Sequence, residues 1–507
     1  MVRRNLTGYN VNVLVLPFPS IFTVAWWPGV GRPTPLFRCW LVSVHPSYPR
    51  RLELRLSATV TNSCCPRLVR GEAAQSFVDD TRYCRSSLAG GCAEAMADQS
   101  VLLAYETSAH DPLPFYLYPE ERPNHVLFLG MKTPAQRRVM LNLIAQDIQK
   151  GAGLAVIDTT GHYARPTLDL VPPHRSQQAY YMRPNDPKHV VGFNPFRGVT
   201  RSQRPMVSQQ IVALFKDIWG LEYDRTPLLI DLLRSSSRLL LDSQDGTLLG
   251  MYPLLTNARF RNGLISQCTD SLTRSFWEND FGTWPQRDQR DKPQPVLTRL
   301  RAFLSDPLLR NVLGQVNGAL DLERIVQNRQ IFIADLDRVA IGQESSRLLA
   351  CLLVSRLQSA LESRGSGWPF YIYLPALEQV HVGIGGRVLA GRYAAAGVVA
   401  GVNALDGLTA ENRGDLLSAE TLVSFRLPPD DVRHVAPRFR IPKPDENLTT
   451  LTADRLAVSG YLHELKVADS EAKTWNQAAS IERRSRNVLA VRRRLVEKKI
   501  DRFIDQF

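Results

Sequence analysis

The chain has 507 residues, more than one hydrophobic core usually holds, so two or three domains are expected. Its 44% hydrophobic and 22% charged content is ordinary for a soluble globular protein and excludes a largely disordered one. The formal net charge of +13 favours an acidic partner, most commonly nucleic acid, although charge speaks to association and not to fold.

The first 95 residues differ from the rest. They contain no Lys, carry five of the seven cysteines (Cys39, Cys64, Cys65, Cys84, Cys92) and hold no sustained period of 2 or 3.6. Two readings stand: a small cysteine-containing domain, for which no zinc-type spacing is present, or a disordered or untranslated stretch ahead of a true start at Met96. The most apolar run, residues 11–27, is short of the ~20 residues of a spanning helix. Pro17 and Pro19 break it, so neither a membrane segment nor a signal peptide is expected. Cys268 and Cys351 lie in apolar surroundings and read as reduced core residues of a cytoplasmic protein.

Residues 96–123 read as a short β-rich lead-in. At 124–147, NHVLFLGMKTPAQRRVMLNLIAQD, a strand, a tight loop and a helix follow in immediate succession: the apolar run 126–129 ends at Gly130, and from Val139 apolar residues recur at helical spacing. That is the frame of a phosphate-binding loop, whose pattern G-x-x-x-x-G-K-[ST] falls on residues 130–137. GAGLAVIDTTGHYA (151–164) supplies a second strand, ending in Asp158, and VVGFNPFRG (190–198) follows. The block 197–310 carries few strand signals and many helical ones, with QRDQRDK (286–292) as an exposed loop. Residues 331–336, 370–374, 397–402 and 421–426 are further strand candidates alternating with helical segments. Such alternation argues a mainly parallel sheet with helices on both faces and ligands at the carboxyl ends of its strands.

In their order these stretches, with RQIFIADLDRVAIGQESSRLLACLLVSRLQSAL (329–361), WPFYIYLPALEQV (368–380) and GVNALDGL (401–408), resemble the type IV secretion coupling proteins, TraD-like conjugative ATPases of the HerA–FtsK superfamily. The resemblance covers about residues 125–432 and implies an α/β fold: a RecA-like P-loop NTPase core with an inserted all-α domain. The expected organisation is an atypical extension (1–95), the first part of the core (96–196), the all-α insertion (197–310), the second part of the core (311–436) and a C-terminal linker with a basic helix (437–507).

The same register implies a degenerate nucleotide site. After Gly130, Ala135 stands where the second glycine belongs, Gln136 where the phosphate-binding lysine belongs, and Arg137 where the magnesium-binding hydroxyl belongs. Pro375 and Ala376 occupy the Asp-Glu places of the Walker B strand, Asn403 that of a glutamine sensing the γ-phosphate, and Asp158, at the end of its strand, is expected in the same nucleotide cleft. Arg392 matches an arginine that reaches a neighbouring subunit's nucleotide; a surface arginine is the duller reading. Phosphoryl transfer is mostly positioning and electrostatics, and each charge-assisted contact is worth about 1.5–3 kcal/mol. Four losses at chemically independent places are hard to rescue together. Lys132, Arg137 and Arg138 leave positive charge beside the loop, so weak ATP binding without hydrolysis and plain solvated charges both stay open. His162 has no partner at ligand spacing, and no metal site is expected.

Residues 474–507 contain no Gly or Pro and are predicted as one long helix. Ile481, Val488, Leu495 and Phe503 form a thin apolar seam flanked by Arg483, Arg484, Arg486, Arg492, Arg493, Arg494, Lys498 and Lys499. It suits a partner helix or DNA phosphates, or simply a solvated face. The expected function is a pseudo-ATPase relative of coupling and DNA-translocating ATPases, acting as a scaffold or DNA-binding subunit with no cofactor beyond weakly held ATP. Expected partners are DNA bound non-specifically, a hexameric ring of itself or of an active paralogue, and relaxase or secretion-channel proteins; the expected location is the cytoplasm, with membrane association only through partners. The alternative is an active coupling ATPase with a non-standard or trans-completed site; a decaying gene is a third possibility.

Overall fold

The computed structural model describes residues 2–3, 12–13, 100–106, 112–130, 133–365, 367–468 and 472–506. The chain divides into two units, Met1–Ala93 and Glu94–Phe507. In the first, Val2–Arg3 pairs antiparallel with Asn12–Val13. The other expectations for residues 1–95, including the cysteine-containing domain and the start at Met96, lie outside the described residues, as does Lys132.

The second unit is built on an eleven-stranded sheet. Its strands are β1 (Val101–Glu106), β2 (Leu113–Leu117), β3 (Val126–Leu129), β4 (Gly153–Asp158), β5 (Ala179–Met182), β7 (Ile331–Asp335), β8 (Phe370–Leu374), β9 (Ala396–Val402), β10 (Thr421–Ser424), β11 (Arg455–Val458) and β12 (Leu465–Val467). A separate two-stranded ribbon joins β6 (His189–Val191) to β13 (Ala490–Arg492). Across the large sheet the order is β2-β1-β12-β11-β10-β3-β9-β8-β4-β7-β5. The stretch from β10 to β5 is parallel throughout, and the wing from β11 to β2 is antiparallel.

The central strands are unbroken apolar runs because both of their faces are covered. Every residue of β3, VLFL, and of β8, FYIYL, is buried. Successive side chains leave a strand on opposite faces. Leu127, Leu129, Ile372 and Leu374 therefore join a core shared with the helices Arg204–Trp219, Pro227–Asp242 and Gln343–Glu362. Val126, Phe128, Tyr371 and Tyr373 join a second core under the helix Pro134–Gln149.

Between β6 and β7 the chain is helical, and its apolar side chains Trp277, Phe281, Leu297 and Leu300 belong to the first of these cores. Residues 286–292, expected as a loop, begin with the short helix Gln286–Asp291. An i,i+4 pair between Lys292 and Asp288 braces it, and none of its residues is buried. The wing strands β11 and β12 lie where only a linker and a helix were expected. They are three or four residues long, too short for a period to register in the sequence. The unpaired edge of β10 gives them their partner.

The predicted C-terminal helix is in fact two, Ala478–Leu489 and Arg493–Ile504, separated by β13. Propensity favours a continuous helix here, but β6 offers an open edge, and Ala490, Val491 and Arg492 pair with Val191, Val190 and His189. The predicted seam fails with it: Ile481 is buried, but Val488 and Leu495 are 53% and 52% exposed, and the buried line is Ile481, Ser485, Leu489, Val496 and Ile500. The first of the two helices covers the outer edge of β5. Ser485 Oγ accepts the Tyr181 amide at 2.9 Å and Arg484 Nη1 donates to the Ala179 carbonyl at 3.1 Å. These bonds satisfy backbone groups that an exposed edge would leave open.

At the end of the sheet where the parallel strands begin, a buried network fastens helix to strand. Arg122 Nη2 donates to Asp147 at 2.8 Å and to the Tyr373 hydroxyl at 3.2 Å, and its guanidinium lies 3.6 Å from the centre of the Tyr371 ring. His125 Nε2 meets the Gly391 carbonyl at 2.8 Å, and its Nδ1 accepts the Val398 amide at 3.0 Å. Arg175 donates to the carbonyls of Ile148, Ala152 and Arg329, each at 2.8–2.9 Å.

Candidate functional site

β3, β9, β8 and β4 are adjacent, so their carboxyl ends bring Gly130, Asn403, Pro375 and Asp158 to one edge of the sheet. The Gly130 amide donates to the Val402 carbonyl at 2.9 Å, fastening the loop to the end of β9. Gly130 has φ +80°, and a Cβ there would lie 2.6 Å from the Arg426 carbonyl oxygen, so both conformation and space require glycine.

Where the loop meets the helix, its described residues bond to one another. Thr133 is the N-cap of the helix Pro134–Gln149, and Gln136 completes a capping box with it. The Gln136 side chain is 2% exposed. Its Oε1 accepts the Thr133 amide, its Nε2 donates to the Gly130 carbonyl, and its backbone amide donates to Thr133 Oγ1 at 3.4 Å. Anion binding at a helix N-terminus relies on amides left without partners. Here Pro134 has no N–H, and Thr133 and Gln136 spend theirs within the box, which withdraws these two amides from an anion. The Gln136 carboxamide is thus folded back into the loop. Arg137 is exposed on the helix beside it.

Asp158 is fully buried and saturated. One oxygen accepts the amides of Thr160 at 2.9 Å and Gly161 at 3.1 Å and the Thr160 hydroxyl at 2.7 Å; the other accepts the amides of Tyr163 at 2.7 Å and Ala164 at 2.8 Å. A carboxylate has about four lone-pair sites, and these bonds use them all. Asp158 therefore shapes the turn into the helix Ala164–Leu170 and has no capacity left for a ligand.

Two residues that motif matching missed complete this edge. Tyr163 is 6% exposed; burial, then the charges of Asp158 and Glu378, push its phenol far up, and the Arg137 guanidinium opposes them. Glu378 lies two residues beyond Ala376, in the turn Leu377–Val380. Burial raises its carboxyl above the usual range, and Asn403 Nδ2 donates to its Oε1. Glu378 Oε2 and Asn403 Oδ1 are both buried without a hydrogen-bond partner. The signal for Glu378 was an acid just outside the motif register, on the turn that follows β8. Pro375 and Ala376 are buried and offer neither a metal ligand nor a base.

Arg392 is not part of this edge. It precedes β9, where its field reaches His125 ahead of β3, and so sits exposed at the opposite end of the sheet. His162 is exposed, and among the described residues no group of three or more His, Cys, Asp or Glu is placed to hold a metal. Cys268 and Cys351 are free and buried. No described helix is long and apolar enough to cross a membrane.

The basic C-terminal residues separate into two sets. Arg484 is committed to the β5 edge, Arg486 pairs with Asp186 at 3.0 Å, and Arg493 donates to the Asp186 carbonyl at 2.7 Å. Arg483, Arg492, Arg494, Lys498 and Lys499 are exposed and make no ion pair with a described residue.

A parallel sheet with helices on both faces, a strand–loop–helix unit at its carboxyl edge and a helical insertion define a P-loop NTPase fold of the RecA-like kind. No protein-family model matches the chain, and no curated protein matches it. Solved structures do. The chain is similar to the plasmid coupling protein TrwB in complex with ADP and Mg2+ (TM-score 0.52, 14% identity, 72% of this chain and 90% of that one). It is also similar to an unbound form of the same bacterial conjugative coupling protein (TM-score 0.51, 14% identity, 72% and 89%). VirB4 of Thermoanaerobacter pseudethanolicus matches at TM-score 0.47 and 10% identity, over 73% and 97%. The likeness shows that the chain shares the fold of TrwB.

Proposed function

We propose that this chain is a non-catalytic relative of the conjugative coupling ATPases, a scaffold or DNA-binding subunit that works in a ring with itself or with an active paralogue. The observation that carries the reading is Gln136: its side chain takes up the Thr133 amide and Gly130 carbonyl of the loop in which a triphosphate would sit. The saturated Asp158 and the apolar Pro375 and Ala376 support it, because magnesium would find no free protein ligand at those positions. DNA is the partner that suits the exposed set Arg483, Arg492, Arg494, Lys498 and Lys499. Duplex affinity that falls steeply with salt, and drops on truncation at Asp469, is the expected gel-shift result. Titration with magnesium and ATP is the main test: binding tighter than millimolar, or phosphate release by the chain alone or mixed with an active family member, overturns the reading.

Glu378 favours a second reading, an active ATPase with a relocated base. Its raised carboxyl and its contact with Asn403 stand at the strand ends where a water-activating glutamate would act. Turnover that Glu378→Gln abolishes would decide for this alternative.

A further inference from the structure

Outside the buried network at the end where the parallel strands begin, one aromatic ring stands in the open. Trp368, two residues ahead of β8, is 58% exposed and is the only exposed tryptophan among the described residues. Its ring lies against the Arg329 guanidinium, whose Cζ is 4.1 Å from the ring centre. The two meet because β4, between β7 and β8, starts on a glycine: a Cβ on Gly153 would lie 2.7 Å from Arg329 Cα and 2.6 Å from the Phe370 ring. The loop before Trp368 is folded on itself. Arg364 donates to the Trp368 carbonyl, and its Nη2 lies 2.7 Å from where a Cβ on Gly367 would be.

Arg329 is held for this contact and no other. Its carbonyl accepts Arg175 Nη2 at 2.9 Å, but its guanidinium makes no hydrogen bond or ion pair with a described residue. Its φ is +54°, in the left-handed region that disfavours any residue with a Cβ. Strain kept at one position points to a use for the side chain there. The charge around the ring is also uncompensated. Burial first, and then the Arg329 charge, push Arg175 down to about 10 and lower Arg364, and no carboxylate counters either shift. Glu362, the acid nearest in sequence to Arg364 and Trp368, accepts Gln358 Nε2 at 2.8 Å. Arg392 is exposed ahead of β9, the other neighbour of β8. Arg392, Trp368 and Arg329 therefore follow one another across this end of the sheet, over three strand spacings or ~14 Å.

We propose that this end of the sheet binds single-stranded nucleic acid, with a base stacked on Trp368 and the strand's phosphates on Arg329 and Arg392. An exposed ring among unpaired guanidinium groups supplies both contacts such a strand needs: every base has a π-face, and guanidiniums meet phosphate through paired N–H donors. A duplex is a poor match, because its bases are already stacked on one another, whereas unpaired bases are free to stack on an aromatic side chain. An acidic polypeptide would answer the charge and leave the ring unused. The surface shares no residue with the carboxyl-edge cleft or with the exposed C-terminal cations, so it extends the DNA-binding reading without resting on either.

The test is fluorescence anisotropy of a labelled single-stranded oligonucleotide, and of the same sequence as a duplex, titrated with the full chain. Trp368→Ala is expected to weaken single-strand binding about tenfold, with Trp368→Phe restoring most of it and duplex affinity unchanged in both. Arg329→Gly should lower the salt slope for the single strand by about 0.7 without lowering the urea midpoint, because glycine accepts the left-handed backbone. Ultraviolet crosslinking of an iodouracil-substituted strand should mark the peptide that carries Trp368 in the parent chain, which keeps the proposal testable if a variant does not fold. No single-strand binding by the parent chain, single-strand affinity unchanged in Trp368→Ala, an equal loss for the duplex, or full displacement of the strand by polyglutamate at matched ionic strength would each overturn the proposal. Single-strand binding that needs Trp368 supports it even where duplex binding at the C-terminal helices fails, so the two readings fail separately.

Discussion

The two ends of the parallel sheet are built differently. Where the strands begin, Arg122, Asp147, Tyr373, His125 and Arg175 lock helix, turn and strand together through buried, mostly satisfied hydrogen bonds. Where they end, the loop is plugged by its own glutamine, Asp158 is spent on a turn, and Glu378 and Asn403 keep oxygens without partners. Groups that serve folding are closed off at one end, and uncompensated polarity collects at the other. A fold can lose the chemistry of one edge without losing its stability when the opposite edge carries the fastening.

Cutting the fastening is the strongest way to break this contrast. Arg122→Ala leaves Asp147 buried and unpaired, and a loss of about 3–5 kcal/mol in urea unfolding is expected. Arg137→Ala, exposed on the other edge, is expected to stay within about 0.5 kcal/mol. Equal costs for the two would dissolve the distinction. Next in size is Gln136→Ala, which removes the capping box at a cost of about 1 kcal/mol. It also frees the Thr133 amide, so phosphate affinity should rise; a variant as blind to phosphate as the parent would show that the side chain is not what closes the loop.

His125 offers a pH readout at the fastened end. Burial is the largest cause holding its imidazole below 6.5, with Gly391 opposing and Arg392 reinforcing the shift. Between the folded value and 6.5 the unfolded chain binds the extra proton, so stability should climb with pH through that window and flatten above it. A urea midpoint that is level from pH 5 to 7, or a slope that persists in His125→Gln, counts against the assignment. The smallest effect belongs to Glu378. Its carboxyl is raised in the folded state, so its contribution is present at low pH and is lost as pH rises through the folded value. Glu378→Gln should therefore raise the urea midpoint at neutral pH, and a fall would mean that the carboxylate is stabilised there by a partner.

Much of the architecture was legible in the residues. The runs VLFL at β3 and FYIYL at β8 are buried on both faces and so announce themselves without any period. The helix Pro134–Gln149 and the helical insertion carry strong apolar recurrence. The candidate edge was legible as a set of positions, because strand ends in a parallel sheet converge whatever side chains they bear. What those positions do was less so: the hydrogen bonds that Asp158 makes to the turn after β4 depend on how that turn folds, and Glu378 stood outside the register by two places.

By itself the sequence determined the central parallel strands and the helical stretch between them, because the pattern of apolar residues is a local property. Only the tertiary structure decided that Gln136 turns inward, that Arg392 lies at the far end of the sheet, that residues 474–507 break around β13, and that Arg329 lies against Trp368. Each of these depends on a partner distant in sequence, an open strand edge or a facing wall, and such partners exist only once the chain has closed on itself.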